Sequence, residues 1–331
     1  MNHRVTIIYD VIRSHPTQAI SSITAELSSQ TWAALAASKR VYDRLDWWEL
    51  DDWRNSDALM ALPAKKNDSI AAALLVVPIA FTNLQQLASA SQPAAWLRWC
   101  AVADRQSPSA LLRGLLHEAE QRLNGTPVRQ LWCVCEPHEW LATNLRDLGF
   151  KPCDELITMS RLSSQPPLRN RTPRRLERRS PIPCELRTLN PQMIDERELA
   201  QIHALDEAAF APNWRYSAYM LRRAFAQSRY ITVAEQHNHI VGYQCATYDE
   251  DNADSIAHIT RLVVQPCSQG QGIGAALFED CVLELVRLGA REITLNTPAS
   301  NLAAQKLYRR FEFVPLTNRM TVMCKHLEET N

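Results

Sequence analysis

The residues able to do chemistry crowd into one stretch of this sequence. The chain has eight glycines in 331 residues, and three fall within five positions, in Gln269-Gly270-Gln271-Gly272-Ile273-Gly274. Glycine lets a backbone approach a ligand closely and turn several N–H groups toward one point. The loop stands between a strand-like run, Ile256 to Val264, and a helical run beginning near Ile273. A helix opening there adds partial positive charge, so a pyrophosphate is the expected guest. A plain strand-to-helix turn needs one glycine, not three. A P-loop needs Lys and then Ser or Thr after its last glycine, whereas Gly274 is followed by Ala275-Ala276. A dinucleotide fingerprint needs G-x-G-x-x-G spacing early in a fold. Here the spacing is G-x-G-x-G and the loop comes late.

The elements that must position this loop are legible on both sides of it. Pro191 to Phe210 reads as a helix with Met193, Leu199, Ile202 and Leu205 at helical spacing, and Ser217 to Phe225 as a second. Tyr230 to Glu235 and Ile240 to Thr247 read as strands paired around the turn at Gln236–His239. Ile256 to Val264 is a strand, Ile273 to Leu288 a helix closing at Gly289, and Glu292 to Leu295 a strand. Leu302 to Phe311 is a helix and Met320 to Cys324 a closing strand. An earlier stretch repeats the pattern: strand Ala94–Val102, helix Ala110–Leu123, strand Val128–Cys135, helix Trp140–Leu148 ending at Gly149-Phe150, strand Leu156–Arg161. Trp132-Cys133-Val134 answers to Glu292–Leu295, and Leu148-Gly149-Phe150 to Phe311-Glu312-Phe313. Two copies of one fold in one chain is the simplest account. Between them Ser163 to Pro183 holds five prolines and six arginines, too many for an apolar core, and reads as an extended linker. No aromatic residues interleave those arginines, which argues for a solvated connector rather than a nucleic-acid arm.

Composition narrows the classes further. Lys+Arg and Asp+Glu both number 36, so no global field points to nucleic acid or an anionic membrane. The start, Met1 to Thr6, lacks the apolar core of a signal peptide. The longest apolar run, Ile70 to Phe81, is twelve residues and contains Pro78, short of the roughly 20 a membrane helix needs. The nine cysteines are odd in number, mostly sit in apolar stretches (Cys100, Cys133, Cys135, Cys245, Cys281), and include no C-x-x-C pair. They read as small buried hydrophobes, with no metal or disulfide expected. These features point to a cytoplasmic protein.

Leu262-Val263-Val264-Gln265-Pro266 followed by Gln269-x-x-Gly272-x-Gly274 resembles the acetyl-CoA signature of the GNAT N-acetyltransferase superfamily. Asn301-x-x-Ala304-x-x-Leu307-Tyr308-x-x-x-x-Phe313 looks like the late helix of the same family. The resemblance implies an α/β fold (α+β by some schemes) of two tandem GNAT-like domains, each a mixed, mostly antiparallel sheet flanked by helices. Residues 1–162 would be a degenerate copy, 163–183 the linker, and 184–331 the acetyl-CoA-binding domain, a layout similar to mycothiol synthase. It further implies that backbone groups of Leu262, Val263 and Val264 pair with the pantetheine arm like an added strand. The amides of Gln269, Gly270, Gln271, Gly272, Ile273, Gly274 and Ala275 would hold the pyrophosphate, Asn301 would contact the cofactor arm, and Tyr308 would sit beside the thioester sulfur. The first half lacks these parts: Ala-Asp-Arg-Gln-Ser-Pro-Ser-Ala-Leu follows Val102 without a glycine, Leu145 stands in the place of Tyr308, and His138 in that of Asn301.

The resemblance implies acetyl transfer from acetyl-CoA to a primary amine of a small molecule or peptide. An alkyl amine has a pKa of ~10.4, so a base or a desolvating pocket must strip its proton. The N–H of a splayed strand around Val263 would polarise the carbonyl, and the Tyr308 phenol would protonate the departing sulfur. Several family members place a glutamate six residues before the position of Val264. This sequence has His258 there, and a histidine suits the role of base. Trp214 and Tyr216 are candidates for the acceptor pocket or for core packing, and the acidic run Tyr248 to Asp254 for attracting a cationic amine or for a solvated hairpin tip. The competing function is a non-catalytic acyl-CoA-binding sensor or scaffold, which the histidine in place of a carboxylate leaves open.

Overall fold

The computed structural model describes residues 6–7, 34–43, 60–66, 69–78, 94–137, 139–164, 184–248 and 255–327. Most of the linker (165–183), the acidic run 249–254, residues 79–81 of the apolar run and His138 lie outside them. The chain forms two compact units, Met1–Cys153 with Thr321–Asn331, and Asp154–Met320. Each is an α/β unit with one mixed, mostly antiparallel sheet, and each sheet contains one parallel pair.

In the second unit the order across the sheet is β7 (Lys151–Leu162, from Asp154 on), β12 (Glu292–Pro298), β11 (Ile256–Val264), β10 (His239–Tyr248), β9 (Tyr230–Gln236) and β8 (Glu185–Thr188). Only β11 and β12 run parallel. The β9–β10 hairpin turns on His237 and Asn238, both left-handed (φ 49° and 62°), which matches the twist of a two-residue loop. Helices cover both faces. On one lie α3 (Glu196–Ala209) and α4 (Ala218–Ala226), whose Leu199, Ile202, Leu205, Leu221 and Phe225 pack with Ile231, Val233, Tyr243 and Val263. On the other lie α5 (Ile273–Arg287) and α6 (Leu302–Arg310), around Phe278, Cys281, Val282, Leu285, Ile293, Leu295, Tyr308 and Phe313. Each such buried aliphatic or aromatic side chain contributes about 1.5–3 kcal/mol.

Caps fix where the helices begin. The Asp195 carboxylate accepts from the Glu198 amide at 2.7 Å, so α3 starts after it. Pro191–Met193 is a separate 3-10 turn, where the sequence pattern had suggested one continuous helix. Ser217 caps α4 and Asn301 caps α6 in the same way. At the other end of α5, Gly289 (φ 103°) lets its amide reach Val286 O and the Ala290 amide reach Leu285 O.

The first unit repeats the plan. Its sheet runs β1 (Thr6–Ile7), β3 (Met60–Lys66), β4 (Ser69–Pro78), β5 (Ala94–Val102), β6 (Gln130–Cys135) and the end of β13 (Val314–His326, from Thr321 on). β5 and β6 are the parallel pair. Helices α1 (Pro108–Leu123) and α2 (Trp140–Asp147) pack on it through Leu111, Leu112, Leu115, Leu116, Leu141 and Leu145. Cys100, Cys133 and Cys135 are buried in this core, and Cys245 and Cys281 in those of the second unit, as expected of small hydrophobes. The correspondence of the halves extends to single hydrogen bonds. The Phe150 amide donates to Leu145 O at 3.0 Å, and the Phe313 amide to Tyr308 O at 3.1 Å.

The sequence periodicity passes over β2 (Arg40–Asp43), which pairs antiparallel with β5 from Val102 to Trp99. Because β4 already pairs with those residues, β2 must lie on the other side of β5, along the stretch that β6 has left. Residues 151–155 and 314–319 are also strand, longer than the apolar patterns Leu156–Arg161 and Met320–Cys324 suggest.

Candidate functional site

The site begins where two strands part. β11 pairs with β12 from Ile256↔Glu292 to Ile259↔Leu295 and no further, yet it stays paired with β10 as far as Val264↔Gly242. The register with β10 skips Thr260, stepping from Ala246↔Ile259 to Cys245↔Arg261. A bulge bends the strand and raises its local twist, so it falls where separation from β12 is needed. It also resets the alternation of side chains. Ala257 and Ile259 pack toward α5 and α6, but beyond the bulge Val263 packs toward α3 and α4. Leu262 and Val264 turn to the α5 side, against Ile273 and Leu277.

The separated strand leads straight into the glycine loop. The Gln265 amide still donates to Val241 O, and Pro266–Ser268 makes one 3-10 turn. Gly270 (φ 78°) and Gly272 (φ 89°) are both left-handed, and a Cβ built on either would meet no protein atom within 4 Å. Gly272 caps α5 without any side-chain bond, and the helix has no acidic residue in its first turn. The Ala276 amide bonds back to Gly272 O, which leaves the amides before it without intrahelical acceptors. Open space, positive helix end and ungrouped donors fit a pyrophosphate. The exposed Gln269 side chain folds back along the loop, donating to Val264 O at 3.1 Å.

Gly242 is part of this construction and carries no motif to announce it. A Cβ there would stand 2.9 Å from Val263 O and 3.0 Å from Leu277 Cδ1. Its absence lets α5 settle on β10 directly behind the separated strand.

On the α5–α6 face, the Tyr308 ring lies 5.0 Å from that of Phe278, which also holds Phe311 and Phe313 at 5.1 and 5.2 Å. Burial pushes the Tyr308 phenol up to about 12. Asn301 is exposed at the start of α6, its side-chain oxygen accepting from the Ala304 amide at 3.1 Å. Its carboxamide N–H groups remain available as donors.

His258 precedes the bulge and by strand alternation faces the other way, toward the α3–α4 side. Its Nδ1 is 2.9 Å from Thr294 Oγ1, its direct partner on β12. Burial holds its pKa below the usual histidine value, so the ring is neutral at neutral pH. His258 and Tyr308 therefore stand on opposite faces of the sheet, with the gap between β11 and β12 joining them.

A buried ion pair dominates the same face and has no signature in the sequence. Arg261 Nε and Nη2 donate to Asp206 Oδ2 and Oδ1, both at 2.7 Å. Asp206 also accepts from the Tyr216 amide and the Tyr243 hydroxyl. Arg261 donates further to Trp214 O, and its guanidinium lies 3.7 Å from the ring centres of both Phe210 and Tyr216. The segment between α3 and α4 is thus fastened to β11 one residue past the bulge. Tyr216 is a lid on Arg261, and Trp214 contributes its carbonyl. The signal that marks one member of the pair is the charge of Asp206 within the apolar face of α3, between Leu205 and Phe210.

Among the described residues no group of three or more His, Cys, Asp or Glu side chains is placed to hold a metal, and no helix is long and apolar enough to cross a membrane.

Residues 199–313 match the family model described as Acetyltransferase (GNAT) family. A Bacillus subtilis (strain 168) protein that carries the name of a ribosomal protein bS18 alanine N-acetyltransferase is 26% identical over 121 residues, covering 36% of this chain and 76% of that one. Over its whole length the chain is similar in fold to a tandem GNAT protein from the clavulanic acid biosynthesis pathway, with a TM-score of 0.55, 13% identity, and 99% and 100% of the two chains covered. A GCN5-related N-acetyltransferase from Sphaerobacter thermophilus gives a TM-score of 0.50 at 20% identity, covering 84% of each chain. Residues 199–313 thus carry the likeness to the GNAT acetyltransferase family, and the chain as a whole is similar in fold to a tandem GNAT protein.

Proposed function

We propose that the protein is an N-acetyltransferase that moves the acetyl group of acetyl-CoA onto a primary amine of a small molecule or peptide, working in the cytoplasm with its second half. The observation that carries this reading is the parting of β11 from β12 after Ile259, directly upstream of the glycine loop at the uncapped start of α5. A strand with one free side offers backbone groups of Leu262 and Val264 to an extended amide-bearing arm, as a strand would be added to a sheet, while Val263, in step with the Gln265 amide that donates to Val241 O, turns its own toward β10. Gln269 to Ala275 would then receive the pyrophosphate, with Gly270 and Gly272 supplying the open, left-handed backbone. Asn301 would donate to the arm. Acetyl-CoA supplies an acyl group already activated as a thioester.

The chain's own residues handle the protons. The amine must lose one, and neutral His258 on the α3–α4 face is the base for it. The departing thiolate is stabilised by Tyr308 from the other face. With its pKa raised to about 12, this phenol stays protonated throughout the physiological range and acts mainly as a hydrogen-bond donor. Full transfer to a thiolate, whose own pKa is about 8.5, runs uphill. The α3–α4 segment fastened by Arg261 lies on the same face of the sheet as His258, the face from which the amine would enter. The name of the Bacillus subtilis relative, that of an N-acetyltransferase for an alanine of a ribosomal protein, supports an amine acceptor.

A thiol-release assay with acetyl-CoA and a panel of polyamines, amino acids and peptides tests the proposal. Amine-dependent release of CoA is expected. Tight CoA binding with no turnover on any amine would favour a sensor instead.

A further inference from the structure

We propose that Thr294 is a positioning residue that holds neutral His258 with its proton on Nδ1, so that Nε2 presents the lone pair. What the lone pair does rests on the acetyl-transfer reading above, whereas the tautomer itself does not.

The assignment follows from counting hydrogens. A threonine hydroxyl has one proton to give. Thr294 Oγ1 directs it at the carbonyl oxygen of Ala257, 3.1 Å away. Toward His258 Nδ1, at 2.9 Å, the same oxygen can only accept, so Nδ1 must carry the hydrogen. A neutral imidazole has one N–H, which leaves Nε2 as an acceptor. Among the described residues no protein group is bonded to Nε2. In the opposite tautomer the Thr294 hydroxyl would have to turn its one proton to Nδ1 and give up Ala257 O, a preference of about 2- to 12-fold for one net hydrogen bond.

The backbone makes the arrangement rigid. His258 and Thr294 are direct partners in the parallel pair, one register step before the strands separate. Threonine is stiff at χ1, and bonding its hydroxyl to Ala257 O fixes the rotamer. The lone pair therefore stands at the mouth of the gap. Other titratable groups on this face include Glu292 on β12, Tyr243 and Cys245 on β10, Tyr216 before α4, and the Asp206–Arg261 pair, which is closed on itself. Burial is the cause of the lowered His258 pKa.

The first unit supplies an internal control. Its register also skips one residue, Arg98, between Val76↔Leu97 and Leu75↔Trp99, and its parallel pairing ends at Trp96↔Trp132. Counted from the skipped residue, Trp96 takes the place of His258, and its partner Trp132 the place of Thr294. The two rings meet edge to face, 5.6 Å apart. Where the base is gone, its hydrogen-bond partner is gone too.

The test is the nitrogen spectrum of protein labelled with 15N-histidine, with His258 assigned through His258→Gln. In the wild type at neutral pH, Nδ1 should resonate as a protonated nitrogen and Nε2 as an unprotonated one. Thr294→Ser should keep that pattern, and Thr294→Val should lose it. The Val variant's kcat should fall about 2- to 12-fold with CoA affinity unchanged, and Ser should restore it. A proton on Nε2 in the wild type, or an unchanged pattern in Thr294→Val, overturns the inference. If the pattern is as expected but His258→Gln turns over like the wild type, the base reading fails while the tautomer assignment stands. The wild-type and Ser spectra decide the matter even if the Val variant does not fold.

Discussion

The two halves open the same gap and then treat it differently. In both, a strand bulges, leaves its parallel neighbour after three or four residues, and continues on its antiparallel one. In the first half the vacated side of β5 is taken by the chain itself, as β2 pairs along Val102 to Trp99. The Tyr42 hydroxyl of β2 lies within hydrogen-bond distance of Leu97 O on β5 and Val134 O on β6, bridging the two separated strands. Beyond the gap, the Asp104 carboxylate accepts from the Lys39 amide, and Arg40 donates to Asp104 O and Gln106 O. These contacts fill the place where the second half has its glycine loop. In the second half the corresponding side of β11 pairs with no strand among the described residues. The comparison teaches that the cofactor slot proposed for the second half is a strand-shaped vacancy. A half that gives up the cofactor must satisfy the exposed backbone some other way.

The sharpest way to break the contrast is to spoil the loop. Gly272→Asp forces a left-handed residue at a cost of about 1–2 kcal/mol and sets a carboxylate against the pyrophosphate. No protein atom stands in the way of the new Cβ, so the variant should fold, and CoA affinity measured by calorimetry should fall by roughly 10³-fold or more. Wild-type affinity in the folded variant would remove the loop from the site.

Asp206→Ala tests what fastens the α3–α4 segment in the second half. Removing one partner of a buried ion pair costs about 3–5 kcal/mol, which urea unfolding would register as a lower midpoint. A change within about 0.5 kcal/mol would mean that Arg261 finds solvent easily and the segment is not held by it.

Leu145 replaces Tyr308 in the first half, so the phenol is expected to matter only where chemistry occurs. Tyr308→Phe keeps the stacking on Phe278 and should lower kcat by roughly 10²-fold, the low end for a positioned acid, because burial makes this phenol a poor one. CoA affinity should hardly move.

The smallest and most pH-dependent effect is expected at His258. Its pKa lies below the ordinary histidine value, so the ring is already a free base at neutral pH and takes up a proton only as pH falls further. His258→Ala should cost about 10-fold near neutrality and less as rising pH deprotonates the amine unaided. An equal loss at every pH between 6 and 9.5 would make the residue a shaper of the strand rather than a base.

Much of the contrast was readable in the residues themselves. The loop, the helix cap at Gly289 and the repeat anchored on Phe150 and Phe313 are local patterns, and the strand Ile256–Val264 begins and ends where its composition says. What escaped depends on partners far apart in the chain. Thr294 matters because β12 lands beside β11, and Asp206 because α3 crosses it. Gly242 matters because α5 needs the room. β2 is four residues long and acquires its meaning from a vacancy created by residues 94–102. Its composition alone could not announce that.

The most direct measurement is the stoichiometry of CoA on the full chain, by calorimetric titration of the wild type and Gly272→Asp side by side. One CoA per wild-type chain and none in the variant is the expected result. Two equivalent sites per chain, or a single site that survives Gly272→Asp, would contradict a filled slot in the first half and an open one in the second.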